Sequence, residues 1–249
     1  MSTAPEIRVL STPDELFQAA GDEFTQLAKT TARARGKFCV ALSGGSTPKG
    51  LFQRLASLPP ASIPWDAICF FWGDERHVPV DHPENNYRRA FETLLSKVPV
   101  RRENIFRIRS EEENAEDAAK AYEQTLQTFF GLKPGEFPSF DLILLGMGPD
   151  GHAASLFPGS SALKEQHRLV IANWVEKFHT HRITLTLPVL NHARSVIFLV
   201  CGQEKAPALR QALEGNGGAP LPSQLVRPTD GRVLWLVDRA AASGLSGRN

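Results

Sequence analysis

The sequence predicts an α/β fold built around a mostly parallel β-sheet. Short apolar runs typical of buried strands alternate along the chain with longer segments whose apolar residues recur at helical spacing. Strands separated by helices of this length pair in parallel through right-handed crossovers. A chain of 249 residues is long enough to bury a large core, about three-quarters of its unfolded surface. We therefore expect one α/β domain that spans residues 1–249.

The first predicted helix carries the signals for both of its ends. It begins at a capping box at residues 12–15 (TPDE), with proline at the first helical position, and Gly36 ends it. The elements expected after it are, in chain order, a strand at 38–42, a helix at 48–56, a strand at 68–72, a helix at 86–97, a strand at 104–108, a helix at 113–130, strands at 142–145, 169–175, 183–187 and 196–200, a helix at 205–213 and a strand at 233–237. We expect the tail, residues 243–249, to be frayed.

Composition argues against several classes of protein. The 28 Lys and Arg residues balance 27 Asp and Glu residues, for a net charge of +1, which argues against nucleic acid or a membrane surface as a partner. The sequence shows no secretory signal pattern, and no apolar run approaches the roughly 18 residues of a membrane span. The cysteines, Cys39, Cys69 and Cys201, have no CxxC spacing, which predicts buried free thiols in a reducing compartment. Together these features predict a soluble, cytoplasmic protein.

A first candidate loop lies between the strand at 38–42 and the next helix. It reads Ser43-Gly44-Gly45-Ser46-Thr47. The glycines let the backbone approach a ligand closely, and successive N–H groups at a helix N-terminus favour an anion. The GK[ST] ending of a Walker A loop is missing. The alternative is an ordinary tight turn in which Thr47 caps the helix.

A second candidate loop, Gly73-Asp74-Glu75-Arg76-His77, follows the strand at 68–72. Arg76 can hold a phosphate with two parallel donors, and Asp74 can orient a histidine or a sugar hydroxyl. One alternative is a solvated loop with local ion pairs. Another is a metal site formed by Asp74, His77 and His82, although no zinc spacing such as HExxH is present.

A third candidate loop follows the strand at 142–145 and carries Asp150 and His152. A histidine at the carboxyl end of a parallel strand is placed to transfer protons near neutral pH. The alternative is a structural, hydrogen-bonded histidine. The loop also contains GxGxxG, but Pro158 and Gly159 leave no room for the long helix of a dinucleotide site, and Asp150 would repel a pyrophosphate.

Six motifs in this order resemble the 6-phosphogluconolactonase family. They are ALSGGSTP (41–48), FFWGDERHVP (70–79), ENNYRRA (84–90), LLGMGPDGHAASLFPG (144–159), RITLTLPVL (182–190) and CGQEKA (201–206). The resemblance implies hydrolysis of 6-phospho-D-glucono-1,5-lactone in the pentose phosphate pathway. It also implies a Rossmann-like sheet with helices on both faces, shared with glucosamine-6-phosphate deaminases and ribose-5-phosphate isomerases. No metal or organic cofactor is expected, and the partner is a small phosphosugar lactone bound by a monomer or small homo-oligomer.

The resemblance also implies roles for individual residues. The family's catalytic histidine falls on His152 and the acid of its DER motif on Asp74. Its phosphate-binding arginine and lysine fall on Arg76 and Lys177. The family usually surrounds that lysine with prolines, which are missing here, although the spacing to Arg182 is kept. By spacing alone, Lys177 and Arg182 would be surface charges.

These residues suggest a mechanism in which neutral His152 deprotonates a water that attacks the lactone carbonyl. Either Asp74 or Asp150 would orient the imidazole or the sugar. Backbone N–H groups near Gly44, Gly45 or Gly148 would stabilise the oxyanion. The phosphate would be held by basic side chains and the first candidate loop, namely Arg76, Lys177, Arg182, Ser43, Gly44, Gly45, Ser46 and Thr47.

Two other functions fit parts of this pattern. The first is a glucosamine-6-phosphate deaminase, whose family resembles this one in the glycine loop and the GxDGH turn. Those deaminases have a catalytic glutamate shortly after the histidine, whereas Ala153 and Ala154 follow His152 here, and they tend to have tyrosine in place of Arg76. The second is a phosphosugar sensor that binds without turnover.

Overall fold

The computed structural model describes residues 5–215 and 217–246. Its strands and helices are, in chain order, β1 (Glu6–Leu10), α1 (Pro13–Arg35), β2 (Phe38–Leu42), α2 (Ser46–Ser57), β3 (Ile68–Trp72), β4 (Asp74–Arg76), α3 (Asn86–Thr93), α4 (Ala115–Phe130), β5 (Leu142–Gly146), β6 (Val170–Val175), β7 (Thr180–Leu185), α5 (Leu187–Asn191), β8 (Ser195–Val200), α6 (Ala206–Glu214), α7 (Pro222–Leu225) and β9 (Arg232–Asp238).

A parallel sheet of six strands forms the centre of the fold. Its order is β1-β9-β8-β5-β2-β3, and every neighbouring pair runs in parallel. All residues of β2, β3 and β8 are buried, as continuous apolar strands are when both faces of a sheet are covered. The predicted α/β class with a mostly parallel sheet is confirmed.

A second, antiparallel sheet was not predicted. It has three strands in the order β4-β7-β6. The second candidate loop is therefore wrong as a loop, because Asp74–Arg76 form strand β4 and pair with β7. A run of three charged residues carries no strand signal by itself, and only its distant partner makes it a strand.

The first helix confirms its predicted ends. The Thr12 side chain accepts a hydrogen bond from the N–H of Glu15 at 3.2 Å, Pro13 is the first helical residue, and Gly36 ends the helix in the left-handed conformation with φ of 76°. Helix α2 begins at Ser46, two residues before the predicted start, and its N-cap is Gly45, with no side-chain cap. The interpretation of Thr47 as the cap is therefore wrong.

Other boundaries also differ from prediction. The strand expected at 104–108 is absent: Arg102–Asn104 form a 3₁₀ turn, and Ile105 makes one isolated bridge to Phe70. Helix α3 ends at Thr93, and a 3₁₀ turn at Leu95–Lys97 replaces its predicted last turn. The strand predicted at 183–187 lies at Thr180–Leu185. Strand β1 and the short helices α5 and α7 were not predicted.

The tail is more ordered than expected as far as the structure describes it. Ala241–Gly244 form a 3₁₀ turn, and Leu245 is buried. The expectation of a frayed end is wrong for these residues, and its last part, residues 247–249, lies outside the described residues. No described helix is both long enough and apolar enough to span a membrane.

The cysteines are free thiols. Cys39 and Cys69 are buried, as predicted, and they lie side by side in the register of β2 and β3. The prediction of burial is wrong for Cys201. Cys201 is half-buried just after β8.

Candidate active site

The candidate loops meet in one cavity of about 210 Å³ at the carboxyl ends of β2, β5 and β8. Nine of the predicted site residues line it: Ser43, Gly44, Gly45, Ser46, Thr47, Asp74, Arg76, His152 and Arg182. Asp150 and Lys177 line an adjoining pocket of about 370 Å³, which shares Phe157 with the main cavity. Asn86, Phe178 and Lys205 also line the main cavity but were not predicted.

His152 is held by its own loop. Its Nδ1 lies 2.5 Å from Oδ1 of Asp150, and its ring stacks on Phe157 with 4.3 Å between centroids. A neutral imidazole that donates from Nδ1–H to this carboxylate leaves a lone pair on Nε2. Gly148 lies directly beneath the ring, because a Cβ added there would come within 2.0 Å of Nδ1. The geometry suits a proton acceptor whose orientation is fixed.

Asp150, and not Asp74, contacts the imidazole. Burial opposes ionisation of Asp150, but the hydrogen bond and charge of His152, together with Lys177, outweigh it and hold the pKa of Asp150 well below its usual value. Lys177 Nζ lies 3.7 Å from Asp150 Oδ2, although the lysine side chain is 60% exposed. Asp150 is thus a permanent anion between the imidazole and a lysine at the cavity rim.

Asp74 supports the segment that follows His152. Its buried carboxylate accepts a hydrogen bond from Ser155 Oγ at 2.7 Å. Ala154 beside it has a φ of 49°, a conformation rare for residues other than glycine. The N–H of Ser155 is further held by Thr184 Oγ1 at 3.3 Å. Asp74 therefore reaches the histidine loop through Ser155.

Arg76 and Arg182 form the cationic wall of the cavity. They are directly opposed in the pairing of β4 with β7. Burial lowers the pKa of Arg182, and the charge of Arg76 lowers it further. The Nε atoms of both side chains are buried without a hydrogen-bond partner among the described residues. A buried charged group that lacks hydrogen-bond partners costs free energy. This wall is therefore suited to bind an anion.

Lys205 adds a cation that sequence reasoning missed. It lies just after β8 in the segment CGQEKA, and its side chain is only 20% exposed. It lines the same cavity as the glycine loop, residues 43–47, whose helix α2 has no side-chain cap. Its place after a parallel strand, as for the other site loops, was the signal available in the sequence.

Gly148 is not available as an oxyanion donor, which corrects one expectation. Its N–H already donates to the His152 carbonyl at 3.0 Å. Gly44 and Gly45 remain candidates, because both line the cavity at the start of α2.

The alternatives for the second candidate loop are also excluded. The solvated-loop alternative is wrong, since Asp74 and Glu75 are both buried. The metal alternative is not supported, because no cluster of three ligating side chains occurs in residues 5–215 and 217–246. His77 Nε2 instead lies 2.8 Å from the Glu112 carbonyl, and His82 Nδ1 accepts from the N–H of Glu84.

The dinucleotide alternative fails for the reason given from sequence. In residues 147–186, all of which are described, the chain forms strands, turns and 3₁₀ segments but no α-helix. The GxGxxG turn therefore lacks the helix N-terminus that a pyrophosphate requires.

Comparison with known proteins agrees with this architecture. A sequence model of the family of glucosamine-6-phosphate isomerases and 6-phosphogluconolactonases matches residues 11–235. The chain belongs to that family. Within it, a 6-phosphogluconolactonase of Nostoc sp. is 42% identical over 241 residues, which cover 96% of this chain and 98% of that protein.

Solved structures of the family give the same result. A 6-phosphogluconolactonase from Trypanosoma cruzi is 32% identical, with a TM-score of 0.87, and the match covers 99% of this chain and 98% of that one. A glucosamine-6-phosphate deaminase described as monomeric has a TM-score of 0.80 at 22% identity, covering 96% of this chain and 99% of its own. The second likeness concerns the fold alone and confirms that this family member shares it with the deaminases.

Proposed function

We propose that this enzyme hydrolyses 6-phospho-D-glucono-1,5-lactone to 6-phosphogluconate, a reaction of the oxidative pentose phosphate pathway. One observation carries the proposal: His152, which is paired with Asp150, borders the same cavity as the Arg76–Arg182 pair. The first pair supplies a base and the second an anion anchor. The relatives named 6-phosphogluconolactonase support the same reaction.

In the proposed mechanism, His152 Nε2 takes a proton from water as the water oxygen attacks the lactone carbonyl carbon. Asp150 stabilises the imidazolium that forms. The tetrahedral intermediate then breaks the bond between the carbonyl carbon and the ring oxygen, and the imidazolium returns its proton to that oxygen. General-base assistance of this kind contributes roughly 10²–10⁴-fold, which suits an ester that is already activated.

The substrate phosphate is proposed to bind Arg76, Arg182 and Lys205, opposite the hydroxyls and N–H groups of residues 43–47. The negative charge of the phosphate complements the guanidinium groups of Arg76 and Arg182, whose Nε donors have no hydrogen-bond partner within the described chain. Binding energy at the remote phosphate then positions the lactone ring over His152. Lys177 also attracts the phosphate from the rim of the cavity, where its ammonium group lies close to the carboxylate of Asp150.

The deaminase alternative is disfavoured by the residues after His152. Ala153 is buried and Ala154 lines the cavity, so neither supplies the carboxylate of the deaminase motif. The next polar residue, Ser155, donates its hydroxyl to Asp74. The sensor alternative predicts phosphosugar binding without turnover.

The test is lactone hydrolysis by the wild type and His152→Ala, with substrate generated in situ and the spontaneous rate subtracted. We expect wild-type acceleration that disappears in the variant, while phosphosugar binding persists. Acceleration that survives in His152→Ala would remove the histidine from its role. Binding without acceleration in the wild type would favour the sensor, and ammonia released from glucosamine 6-phosphate would favour the deaminase.

Several expectations stay predictions. They are the single-domain organisation, the absence of a cofactor, the cytoplasmic location and a monomer or small homo-oligomer. Undiminished turnover after treatment with a chelator would support the absence of a metal cofactor. A mass from light scattering would test the oligomeric state.

A further inference from the structure

The motif ENNYRRA (84–90) is not explained by the proposed chemistry. Its Asn86 is 2% exposed and lies between strand β4 and the glycine loop, residues 43–47. Asn86 Nδ2 donates to the Asp74 carbonyl at 3.0 Å. Because a carbonyl only accepts, this bond fixes which side of the amide is the oxygen. Oδ1 is therefore the atom that faces the glycine loop.

Gly44 rests directly on this amide. A Cβ added at Gly44 would lie 1.8 Å from Asn86 Oδ1, and its three nearest atoms would all belong to the Asn86 side chain. Oδ1 is buried and has no hydrogen-bond partner in the described chain. The Cα–H bond of Gly44 that this Cβ would replace therefore points at Oδ1, the orientation of a weak Cα–H···O contact. The glycine is thus required here by close approach, and Asn86 determines how near the loop comes to β4.

Glu75 in turn fixes Asn86. Its carboxylate is fully buried. Oε1 accepts from the N–H groups of Asn86 at 2.7 Å and Arg76 at 2.8 Å, and Oε2 accepts from the N–H of Tyr87 at 2.8 Å. Two of these donors are at the start of helix α3, where a carboxylate is favourable. Glu75 therefore ties that helix to the strand that carries Arg76.

We propose that Glu75 and Asn86 are positioning residues of the anion site. Together they form a buried bracket that sets the distance between Arg76 and the glycine loop. The inference rests on the proposed function, in which Arg76 and the glycine loop bind the same phosphate. Two groups bind a single ligand well only when their spacing is held before binding. Glu75, which has no exposed surface, acts without contacting the ligand.

The first test compares Glu75→Gln and Asn86→Ala with wild type. In Glu75→Gln, the amide NH2 group faces a backbone N–H donor and cannot accept its hydrogen bond. Asn86→Ala removes the side chain that contacts Gly44. We expect about tenfold weaker binding of inorganic phosphate, equivalent to about 1.4 kcal/mol, and a KM raised by a similar factor with kcat retained. Glu92→Gln is the matched control, because Glu92 lies on the same helix but pairs with Arg88 at the surface. The control keeps wild-type phosphate affinity.

The second test uses the close contact between Gly44 and Asn86. Gly44→Ala should abolish phosphate binding in the wild-type background, because its Cβ collides with Asn86. In the Asn86→Ala background the same change should cost little more than Asn86→Ala alone. Equal costs of Gly44→Ala in both backgrounds would overturn the bracket. So would Glu75→Gln and Asn86→Ala variants that lower Tm while phosphate affinity stays the same.

These phosphate measurements are independent of the lactonase assay. If the wild type binds phosphate and the variants behave as expected, the bracket stands even where no lactone is hydrolysed. If lactone is hydrolysed but the variants keep both phosphate affinity and KM, the bracket fails and the proposed function stands.

Discussion

Arg76 and Arg182 lie directly opposite each other on β4 and β7, and neither guanidinium forms an ion pair within the described residues. Like charges placed directly across a sheet destabilise it. The free protein therefore carries a local electrostatic cost that a bound anion would relieve. Such a cost is typical of sites in which function is favoured over stability.

We expect Arg182→Met to stabilise the free protein and to weaken phosphate binding. Removing the buried Nε of Arg182, which has no hydrogen-bond partner in the described chain, should gain on the order of 1–3 kcal/mol. That gain corresponds to a rise in Tm of roughly 2–4 °C per kcal/mol. Phosphate should raise the Tm of the wild type more than that of the variant. Thermal melts with and without phosphate measure both effects. Arg101→Met, at an exposed position, is the control that changes neither. A lower Tm in Arg182→Met would contradict the prediction.

Asp150→Asn should lower kcat by on the order of 10²–10⁴-fold and leave KM for the lactone nearly unchanged. The amide no longer fixes the Nδ1–H tautomer of His152 or stabilises its cation. Steady-state kinetics separate the two parameters. Asp230→Asn, on an exposed loop, serves as the control. A variant in which KM rises while kcat is retained would instead place Asp150 in substrate binding.

Asp150 should also stay ionised across the acidic range in which activity is measured. The hydrogen bond and charge of His152 overcome the effect of burial and keep the pKa of Asp150 far below its ordinary value. The stability that this carboxylate contributes is present above its unfolded pKa and is lost only as pH falls toward the lowered folded pKa. The stability difference between wild type and Asp150→Asn in urea unfolding should therefore shrink as pH falls below 3.8, the ordinary value for this carboxyl. A difference that stays constant as pH falls below that value would contradict the lowered pKa.

Gly148→Ala should lower kcat, as loss of the catalytic base His152 would, without unfolding the protein. The new Cβ would lie 2.0 Å from His152 Nδ1 and push the imidazole aside. Displacement of a catalytic group by about 1 Å costs on the order of 10²-fold. Gly217→Ala is the control, because nothing lies within 4 Å of a Cβ at that exposed position, away from the cavity. Circular dichroism of both variants, beside kcat, would separate misplacement from misfolding. Equal activity in the two would contradict the proposed packing.

The free energy of unfolding should fall as pH rises from about 4.5 to about 7, because Glu75 holds its proton more tightly in the folded chain than in the unfolded chain. Burial raises the pKa of this carboxyl from 4.5 to about 7, although hydrogen bonds from the N–H groups of Asn86, Tyr87 and Arg76 oppose the shift. Between these values the folded chain binds more of the proton than the unfolded chain, so unfolding becomes easier as pH rises. Urea unfolding at several pH values should show this slope in the wild type but not in Glu75→Gln. Identical slopes in the two proteins would contradict it.

The sequence was sufficient for five of the six strands of the central sheet, all except β1, and for most of the site. Strands such as Phe38–Leu42 and Ile68–Trp72 are continuous apolar runs, and burial on both faces requires that composition. The loops after them follow from the rule that ligands bind at the carboxyl ends of parallel strands. That rule alone is enough to bring His152, Arg76 and the glycine loop to one place.

The remaining features depend on contacts between residues far apart in the chain. Asp74–Arg76 are a strand only because β7 pairs with them. The choice between Asp74 and Asp150 as the partner of His152 needed side-chain geometry, since either fits by sequence. Asn86 had no signal of its own, because its importance depends on how closely Gly44 approaches it.

The order of strands in the central sheet has a consequence for how the molecule is made. Strand β9, the last of the strands within the described residues, lies between β1 and β8. The edge strand β1 has hydrogen-bonded pairing with β9 alone in that sheet. During synthesis, therefore, β1 cannot join the sheet until β9 has emerged from the ribosome. Closing so long a stretch of chain is entropically costly and slow. Docking of these two strands should be a late event in biogenesis, and a chain that stops before β9 would leave both β1 and the β8 edge open to aggregation.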